Sequence, residues 1–231
     1  MVMPRSDPFG PDVGPPPAPR PAPAAPTRAP LPPFCTALIG VCVAVFLGQM
    51  AQVPLLDSRL WALYGPAVQA GQWWRVLSVL FVHANVTHIL FNMMTVASLG
   101  FPVERILGTP RMVAVSLISA LGSSAMVLAF GFEHPVVGAS GMILGWAGVL
   151  LPVISRESRR QLLSQLALVV IISLLPHVSW QGHLGGFLAG LACGGVLRFW
   201  GRRFDVLWPF LAGGLALAIY LLAGSGGVHL P

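Results

Sequence analysis

Charged residues are scarce in this 231-residue chain: they make up 9% of the sequence, against about a quarter in typical soluble domains. Lysine is absent, so all thirteen basic residues are arginine. With 55% hydrophobic residues and a mean hydropathy of +0.79, this scarcity excludes an ordinary soluble domain. The composition predicts an all-α polytopic membrane protein, because long apolar runs of low charge cross bilayers as helices.

Cysteines and metal-binding motifs are also sparse. All three cysteines fall within apolar runs and none forms a CxxC pair: Cys35, Cys42 and Cys193. We interpret them as packing residues, since no disulfide framework is indicated. A zinc site would need His83, His88 and His183, but H-E-x-x-H is absent and no Asp or Glu within the spans completes such a site. The sequence predicts no metal and no cofactor, and activity that survives chelation would dispose of a zinc protease.

Seven apolar runs are candidates for membrane-spanning helices, since about 18 or more such residues cross a hydrocarbon core roughly 30 Å thick. They cover residues 34–55, 86–103, 112–132, 137–154, 162–180, 183–200 and 206–223. The first run starts late and is too long for a signal peptide, so we expect it to remain in the mature protein.

The predicted organisation has three parts. Residues 1–33 contain thirteen prolines and predict a disordered cytoplasmic tail, because proline cannot continue a helix and few large apolar groups are present to form a core. Residues 34–204 contain the first six apolar runs. Residues 205–231 contain the seventh run and a short tail.

The arginines are distributed unevenly between the runs. Eleven precede the first run or end or follow the second, fourth or sixth, and only Arg59 and Arg75 fall in the connection after the first. Because cytoplasmic loops are enriched in arginine, this asymmetry predicts a cytoplasmic N-terminus and an extracytoplasmic C-terminus. The net charge of +6 therefore needs no nucleic-acid partner. Arginine without lysine, with abundant Ala, Gly and Pro, favours a GC-rich bacterial source and so the bacterial plasma membrane.

Polar side chains gather at the starts of the even-numbered runs. They are His83, His88 and Asn92 at the second run, Ser140 at the fourth and His183 at the sixth. With the predicted orientation, these starts lie at one depth near the extracytoplasmic face. His88 and Asn92 are four residues apart and share a helix face. Ionisable groups within membrane spans are costly, so their default interpretation is a functional site facing the bundle interior.

Two glycine pairs allow the close helix contact that such a site needs. Gly141 and Gly145 in the fourth run have possible partners in Gly186 and Gly190 of the sixth, since small residues let membrane helices approach closely. A hydroxyl and an imidazole must come within about 3 Å to share a proton. Each GxxxG pattern alone is weak, because the pattern is common for packing reasons only.

Serine and histidine at matching depth indicate nucleophilic catalysis. His183 would act as general base on Ser140 and then protonate the leaving amine, because imidazole titrates near neutral pH. Ser140 would lie in the first turn of its helix, where free N–H groups and the positive dipole end favour an oxyanion. No carboxylate is a clear third member: Glu104 is assigned to the cytoplasmic side, and two others lie in extracytoplasmic loops. We therefore expect a Ser/His dyad, with packing holding the imidazole.

This ordered set of motifs resembles the rhomboid family of intramembrane serine proteases over roughly residues 73–200. The segments are Trp74-Arg75, His83-x4-His88-x3-Asn92, Glu104-Arg105-Ile106-Leu107-Gly108, Gly138-Ala139-Ser140-Gly141 and His183-x2-Gly186-x3-Gly190. No single segment is specific, but the ordered combination is. The resemblance implies a six-helix catalytic core, here with one added C-terminal helix.

The resemblance also implies roles for individual residues. Ser140 would be the nucleophile and His183 the base, while His88, Asn92 and the Ser140 backbone N–H would form the oxyanion hole. Supporting roles fall to His83, Gly138, Gly141, Gly186 and Gly190. A lateral gate for substrates would involve the fifth run and the loop after it, near Trp180.

One departure from the family pattern concerns Leu144, four residues after the serine. Many members have at this place an aromatic ring that packs on the catalytic histidine. Leucine fills space but cannot stack, so we expect His183 to be held less tightly than is typical.

Alternatives exist for each residue taken alone. A serine at a helix start is most often a cap, and a buried histidine is often only hydrogen-bonded, but two such groups at matching depth on glycine-faced helices favour catalysis. A transporter would place polar groups at mid-membrane, often with internal repeats, and none is visible. The strongest rival is a catalytically silent rhomboid-like protein that binds transmembrane clients. The preferred prediction is an intramembrane serine endopeptidase that cleaves single-span transmembrane proteins near the outer leaflet.

Overall fold

Seven of the α-helices in the described part of the chain overlap the seven apolar runs. The computed structural model describes residues 30–175 and 178–228, and these include α1 (Pro33–Met50), α2 (Val86–Leu107), α3 (Thr109–Phe130), α4 (Ser140–Leu150), α5 (Arg156–Ser173), α6 (Trp180–Trp200) and α7 (Phe204–Ser225). Within that part of the chain the backbone forms no β-strand, only one isolated bridge. The predicted all-α polytopic fold is confirmed.

Four helical stretches of the described chain are long and apolar enough to cross a membrane. They are α1, α2, α3 and the stretch Trp180–Ser225, which contains both α6 and α7. The chain is a multi-pass membrane protein. Almost all of the predicted proline-rich tail lies outside the described residues, so its disorder and the three domain boundaries stay predictions.

α4 lies in the interior of the bundle. Nine of its eleven residues are buried, so this helix is surrounded by other helices and need not span the bilayer by itself. It is shorter than the predicted run 137–154 for two reasons. Gly138 has a φ of +111°, which a right-handed helix cannot include, and Pro152 follows the end of the helix.

α5 is displaced toward the N-terminus relative to the predicted run 162–180. It begins at Arg156, because the side chain of Ser155 caps it by accepting a hydrogen bond from the Ser158 N–H. The apolar criterion missed this arginine-rich first turn. The helix ends at Ser173, and residues 176–177 lie outside the described part.

A buried carboxylate joins α2 to α1. The prediction assigned Glu104 to the cytoplasmic side beyond the second run, whereas α2 continues past residue 103 and leaves Glu104 only 2% exposed. Its oxygens accept hydrogen bonds from the backbone N–H groups of Phe34 (3.0 Å) and Cys35 (2.9 Å) and from the Thr109 hydroxyl (2.8 Å). A carboxylate is stabilised at a helix N-terminus, where N–H groups have no intrahelical acceptor. Glu104 therefore caps α1 from a neighbouring helix.

The long connection between α1 and α2 is ordered around an arginine. It contains the short helices Pro54–Leu56, Ser58–Trp61, Gly65–Gln69 and Arg75–Ser78. The guanidinium of Arg75 is buried and donates to the carbonyl oxygens of Arg59 and Ala62, both at 2.8 Å, and to the Gln72 side chain at 2.7 Å. These bonds fix one part of the connection against another.

The added helix α7 packs on α3 and on the first connection. Arg111 and Asp205 form a two-bond ion pair (2.8 and 2.7 Å) between the starts of the two helices. Near the other end, the rings of Trp73 and Tyr220 stack with centroids 5.9 Å apart. The Val228 N–H also donates to Ala129 O at 2.9 Å. α7 is thus attached to the bundle at both ends.

Candidate active site

A serine and a histidine meet inside the helix bundle. Ser140 is the first residue of α4 and His183 is the fourth residue of α6. The Ser140 Oγ and His183 Nε2 atoms are 2.8 Å apart, a hydrogen-bond distance, and both residues are partly buried. The structure therefore brings together the two residues that were predicted to form the dyad.

The glycine pairs account for this contact. A Cβ built on Gly186 would overlap the carbonyl group of Gly141, and one on Gly190 would overlap that of Gly145. Alanine at either α6 position would force the two backbones apart. The serine reaches the imidazole because α4 and α6 pack backbone against backbone.

The other ring nitrogen of His183 also has a partner, which the sequence reasoning missed. His183 Nδ1 lies 2.6 Å from the hydroxyl of Ser173 at the end of α5. The same hydroxyl lies 2.7 Å from the carbonyl oxygen of Val169, one turn earlier. No carboxylate contacts His183 among the described residues.

The only sequence signal for Ser173 is its helical spacing from apolar residues of the fifth run, and the structure shows that these residues share the inward face. On α5 the residues that are not exposed are Arg159, Leu162, Leu166, Val169 and Ser173, spaced by three, four, three and four residues. This spacing places them on one helix face, where Ser173 follows three apolar residues. The spacing alone could not reveal its partner.

The loop before Ser140 lies against α2. An added Cβ on Gly138 would be 2.6 Å from His88 Nε2 and 3.6 Å from Asn92 Nδ2, so both side chains face the backbone two residues before the serine. The Gly138 N–H donates to Val79 O at 2.9 Å, which ties this loop to the first connection. Asn92 is buried and donates to the His88 carbonyl at 3.2 Å.

The N-terminus of α4 supplies further donors. The first N–H groups of a helix have no intrahelical acceptor, and within the described chain the N-cap residue of α4 offers them no side-chain acceptor either. These groups and the positive end of the helix dipole lie beside the Ser140 hydroxyl. The arrangement offers backbone donors from α4 opposite the side chains of His88 and Asn92.

His83 lies behind this site. It is 1% exposed, and its ring centroid is 5.2 Å from that of His88. The side-chain amide of Gln49 on α1 bonds the backbone of His83 in both directions, at 3.3 and 3.4 Å. Burial is the main cause that lowers the pKa of His83 to about 4, so its imidazole is neutral at pH 7. A neutral second imidazole packed on His88 fits the supporting role predicted for it.

Two aromatic residues have no direct part in the dyad. Trp146 is fully buried in α4 and donates its indole N–H to the Ser116 hydroxyl at 2.9 Å, in keeping with a packing role. Trp180 is 46% exposed at the start of α6.

Leu144 is half-buried one turn after Ser140. No group of three or more His, Cys, Asp or Glu suited to a metal ion occurs in the described ranges.

These features define a multi-pass membrane protein with a hydrogen-bonded serine–histidine pair among its helices. The profile of the Rhomboid domain matches residues 70–199, more than half of the chain. The chain belongs to the rhomboid family.

Several curated proteins are similar to this chain. RHOMBOID-like protein 2 of Arabidopsis thaliana is 33% identical over 180 residues, which cover 68% of this chain and 56% of that protein. Rhomboid protease GluP of Bacillus subtilis is 31% identical over 140 residues, covering 56% of this chain and 27% of GluP. Putative rhomboid protease YdcA of the same bacterium is 32% identical over 143 residues, covering 56% and 72%. The chain thus spans only part of the length of most of these relatives.

Proposed function

We propose that this protein is an intramembrane serine endopeptidase that hydrolyses peptide bonds of single-span transmembrane proteins with a Ser140/His183 dyad. The observation that carries the proposal is the 2.8 Å contact between Ser140 Oγ and His183 Nε2. Membership of a family in which some relatives are named proteases supports the reaction class.

The first half of the reaction transfers the substrate acyl group to Ser140. His183 Nε2 takes the hydroxyl proton as Oγ bonds the scissile carbonyl carbon, and the carbonyl π electrons move onto its oxygen. When the tetrahedral intermediate collapses, the C–N bond breaks and the protonated Nε2 gives its proton to the leaving amine. The product is an ester on Ser140 and a free amino terminus.

The second half releases the other product. A water molecule gives a proton to His183 Nε2 and attacks the ester carbon. The bond to Ser140 Oγ then breaks, and Oγ recovers its proton from the imidazole. Serine and histidine return to their starting states, so the dyad needs no further reactant.

The oxyanion of each intermediate would be stabilised by three groups. The Ser140 N–H lies at the start of α4, and His88 and Asn92 face the same loop from α2. Donors preorganised in this way are worth roughly 100- to 1000-fold in rate each when measured by removal. Their value depends on pointing at the developing charge rather than at the resting carbonyl.

The proposed substrate is a transmembrane helix that unwinds locally. An intact helix uses its carbonyl groups in internal hydrogen bonds, so the scissile segment must become extended before Ser140 can attack. Small or helix-destabilising residues near the cut would lower that cost. We place the cut near the outer leaflet, because the arginine asymmetry predicts that the site opens to the extracytoplasmic side.

The cellular location is proposed with the orientation. The similar proteins come from a plant and a bacterium, so the bacterial plasma membrane stays a prediction from composition. Reporter domains fused separately to the two termini would test the predicted cytoplasmic N-terminus and extracytoplasmic C-terminus.

Labelling with a fluorophosphonate probe tests the nucleophile. The purified protein in detergent should be labelled, and both Ser140→Ala and His183→Ala should lose the label. Ser164→Ala is the matched control, because this serine lies exposed on α5 and bonds only the Gln161 carbonyl. Cleavage of labelled transmembrane peptides in liposomes, compared with Ser140→Ala, tests the substrate class. A folded protein that is neither labelled nor active but binds these peptides would favour the client-binding alternative.

A further inference from the structure

We propose that Ser173 is a positioning residue that holds His183 in the tautomer required of a general base. The observation is that the imidazole lies between two hydroxyl groups from different helices. Ser140 of α4 contacts Nε2 at 2.8 Å, and Ser173 of α5 contacts Nδ1 at 2.6 Å.

The hydrogen bonds of Ser173 determine where the ring proton lies. A serine hydroxyl has one proton, and the Val169 carbonyl, 2.7 Å from the Ser173 Oγ, can only accept, so we assign the proton to this bond. The oxygen must then accept from His183, so Nδ1 carries the proton of the neutral ring. Nε2 is left with its lone pair, which accepts the Ser140 hydroxyl proton.

The opposite tautomer would make His183 useless as a base toward Ser140. With the proton on Nε2, the ring would donate to Ser140 Oγ and could not remove its proton. In serine proteases with a Ser-His-Asp triad, a carboxylate fixes the Nδ1 proton. Here the Ser173 hydroxyl, which is hydrogen-bonded to the Val169 carbonyl, would orient the imidazole of His183 instead. It lacks the negative charge of a carboxylate, which also stabilises an imidazolium.

The contact also links the base to the position of α5. Of the eighteen residues of α5, all within the described part of the chain, only Leu162 and Ser173 are buried. Leu162 is the seventh residue of the helix and Ser173 is the last, so Ser173 is the buried contact at the end next to the site. If this end of α5 moves away, His183 loses the acceptor for its Nδ1 proton. The geometry therefore couples the dyad to the docking of α5.

A matched pair of substitutions isolates the hydroxyl from the shape of the side chain. Ser173→Thr keeps an oxygen that can bond the carbonyl one turn earlier, and Ser173→Val has the same branched shape without it. Ser164→Val is the control for a β-branched residue elsewhere on α5, because that serine bonds only the Gln161 carbonyl and lies exposed.

The first readout does not depend on activity. Proton–nitrogen NMR of histidine-labelled protein in detergent distinguishes the two neutral tautomers, and His183→Gln identifies the signals of this ring. We expect the Nδ1–H form in wild type, Ser173→Thr and Ser164→Val, and a mixture of tautomers in Ser173→Val. The second readout is the fluorophosphonate labelling rate, which should fall roughly three- to tenfold in Ser173→Val and recover in Ser173→Thr.

The possible outcomes separate this inference from the proposed function on which it rests. Absent labelling of folded wild type would count against the protease, whereas the tautomer measurement would still test Ser173. An unchanged tautomer in folded Ser173→Val overturns the inference. Equal losses in Ser173→Val and Ser173→Thr also overturn it, since they would indicate that Ser173 serves only packing. If Ser173→Val does not fold, wild type with the proton on Nε2 would by itself refute the proposal.

Discussion

Replacing Gly186 by alanine tests the helix contact that brings serine and histidine together. A Cβ on this α6 residue overlaps the carbonyl oxygen of Gly141 on α4. Neither backbone can turn aside as a flexible side chain would, so the helices must separate until carbon and oxygen reach ordinary contact at roughly 3.5 Å. In a close-packed interior this requires a movement of about 1 Å or more.

The consequence for the dyad follows from its distance. Ser140 Oγ and His183 Nε2 are 2.8 Å apart, and a further separation of about 1 Å exceeds the range of a sound hydrogen bond. A misplacement of that size costs on the order of 100-fold in rate. We expect Gly186→Ala to slow fluorophosphonate labelling about 100-fold and to lower stability by about 1–3 kcal/mol through overpacking.

The assay compares Gly186→Ala with Gly195→Ala, a glycine of the same helix whose added Cβ would meet no described atom within 4 Å. Labelling is followed below the melting temperature of each variant in detergent, so unfolding cannot imitate a catalytic loss. Gly195→Ala should label at the wild-type rate. If folded Gly186→Ala labels as fast as this control, the backbone contact does not set the distance between Ser140 and His183.

Three other predictions concern the cap on α1, the base and the absence of a metal. Glu104→Gln removes the charge that accepts three hydrogen bonds, so it should destabilise the protein by about 1–3 kcal/mol, seen as a lower melting temperature. The exposed Glu157→Gln is the control, and equal melting temperatures would contradict a capping role. Leu144→Tyr should raise the labelling rate, because an aromatic ring can stack on the His183 imidazole and leucine cannot. No gain in rate would contradict the expectation that His183 is held less tightly in this protein. Metal chelators should leave peptide cleavage in liposomes unchanged, whereas loss of cleavage that zinc restores would revive the zinc protease.

The sequence could predict the fold because lipid imposes a simple requirement. In the hydrocarbon region, a helix satisfies the hydrogen bonds of its backbone N–H and C=O groups within one segment, so uninterrupted apolar runs indicate helices. The arginine asymmetry then predicted that Ser140 and His183 share a depth, and the glycine spacing predicted that their helices approach. Each of these inferences needs only the length, charge or small size of residues along one segment.

The third partner of the site could not be found in this way. The hydropathy of α5 does not tell its lipid face from its protein face, because hydrocarbon chains and packed side chains are equally apolar. Ser173 was therefore only one of several polar residues in the predicted span. Its contact with His183 depends on how α5 packs beside α6. The spacing of residues within either helix does not predict that packing.

Local helix bounds and the burial of charges were also decided in three dimensions. From the sequence, Glu104 looks like a charged residue at the edge of a span. In the structure it is hydrogen-bonded to the N-terminus of α1. α4 lies between a glycine turn and a proline, and it can be this short because neighbouring helices surround it, so that it does not cross the bilayer alone. Sequence alone thus determined that seven helices form and which polar residues lie level with one another. Only the tertiary structure decided which hydroxyl meets each nitrogen of His183, because those contacts join separate helices across distances that side-chain packing sets.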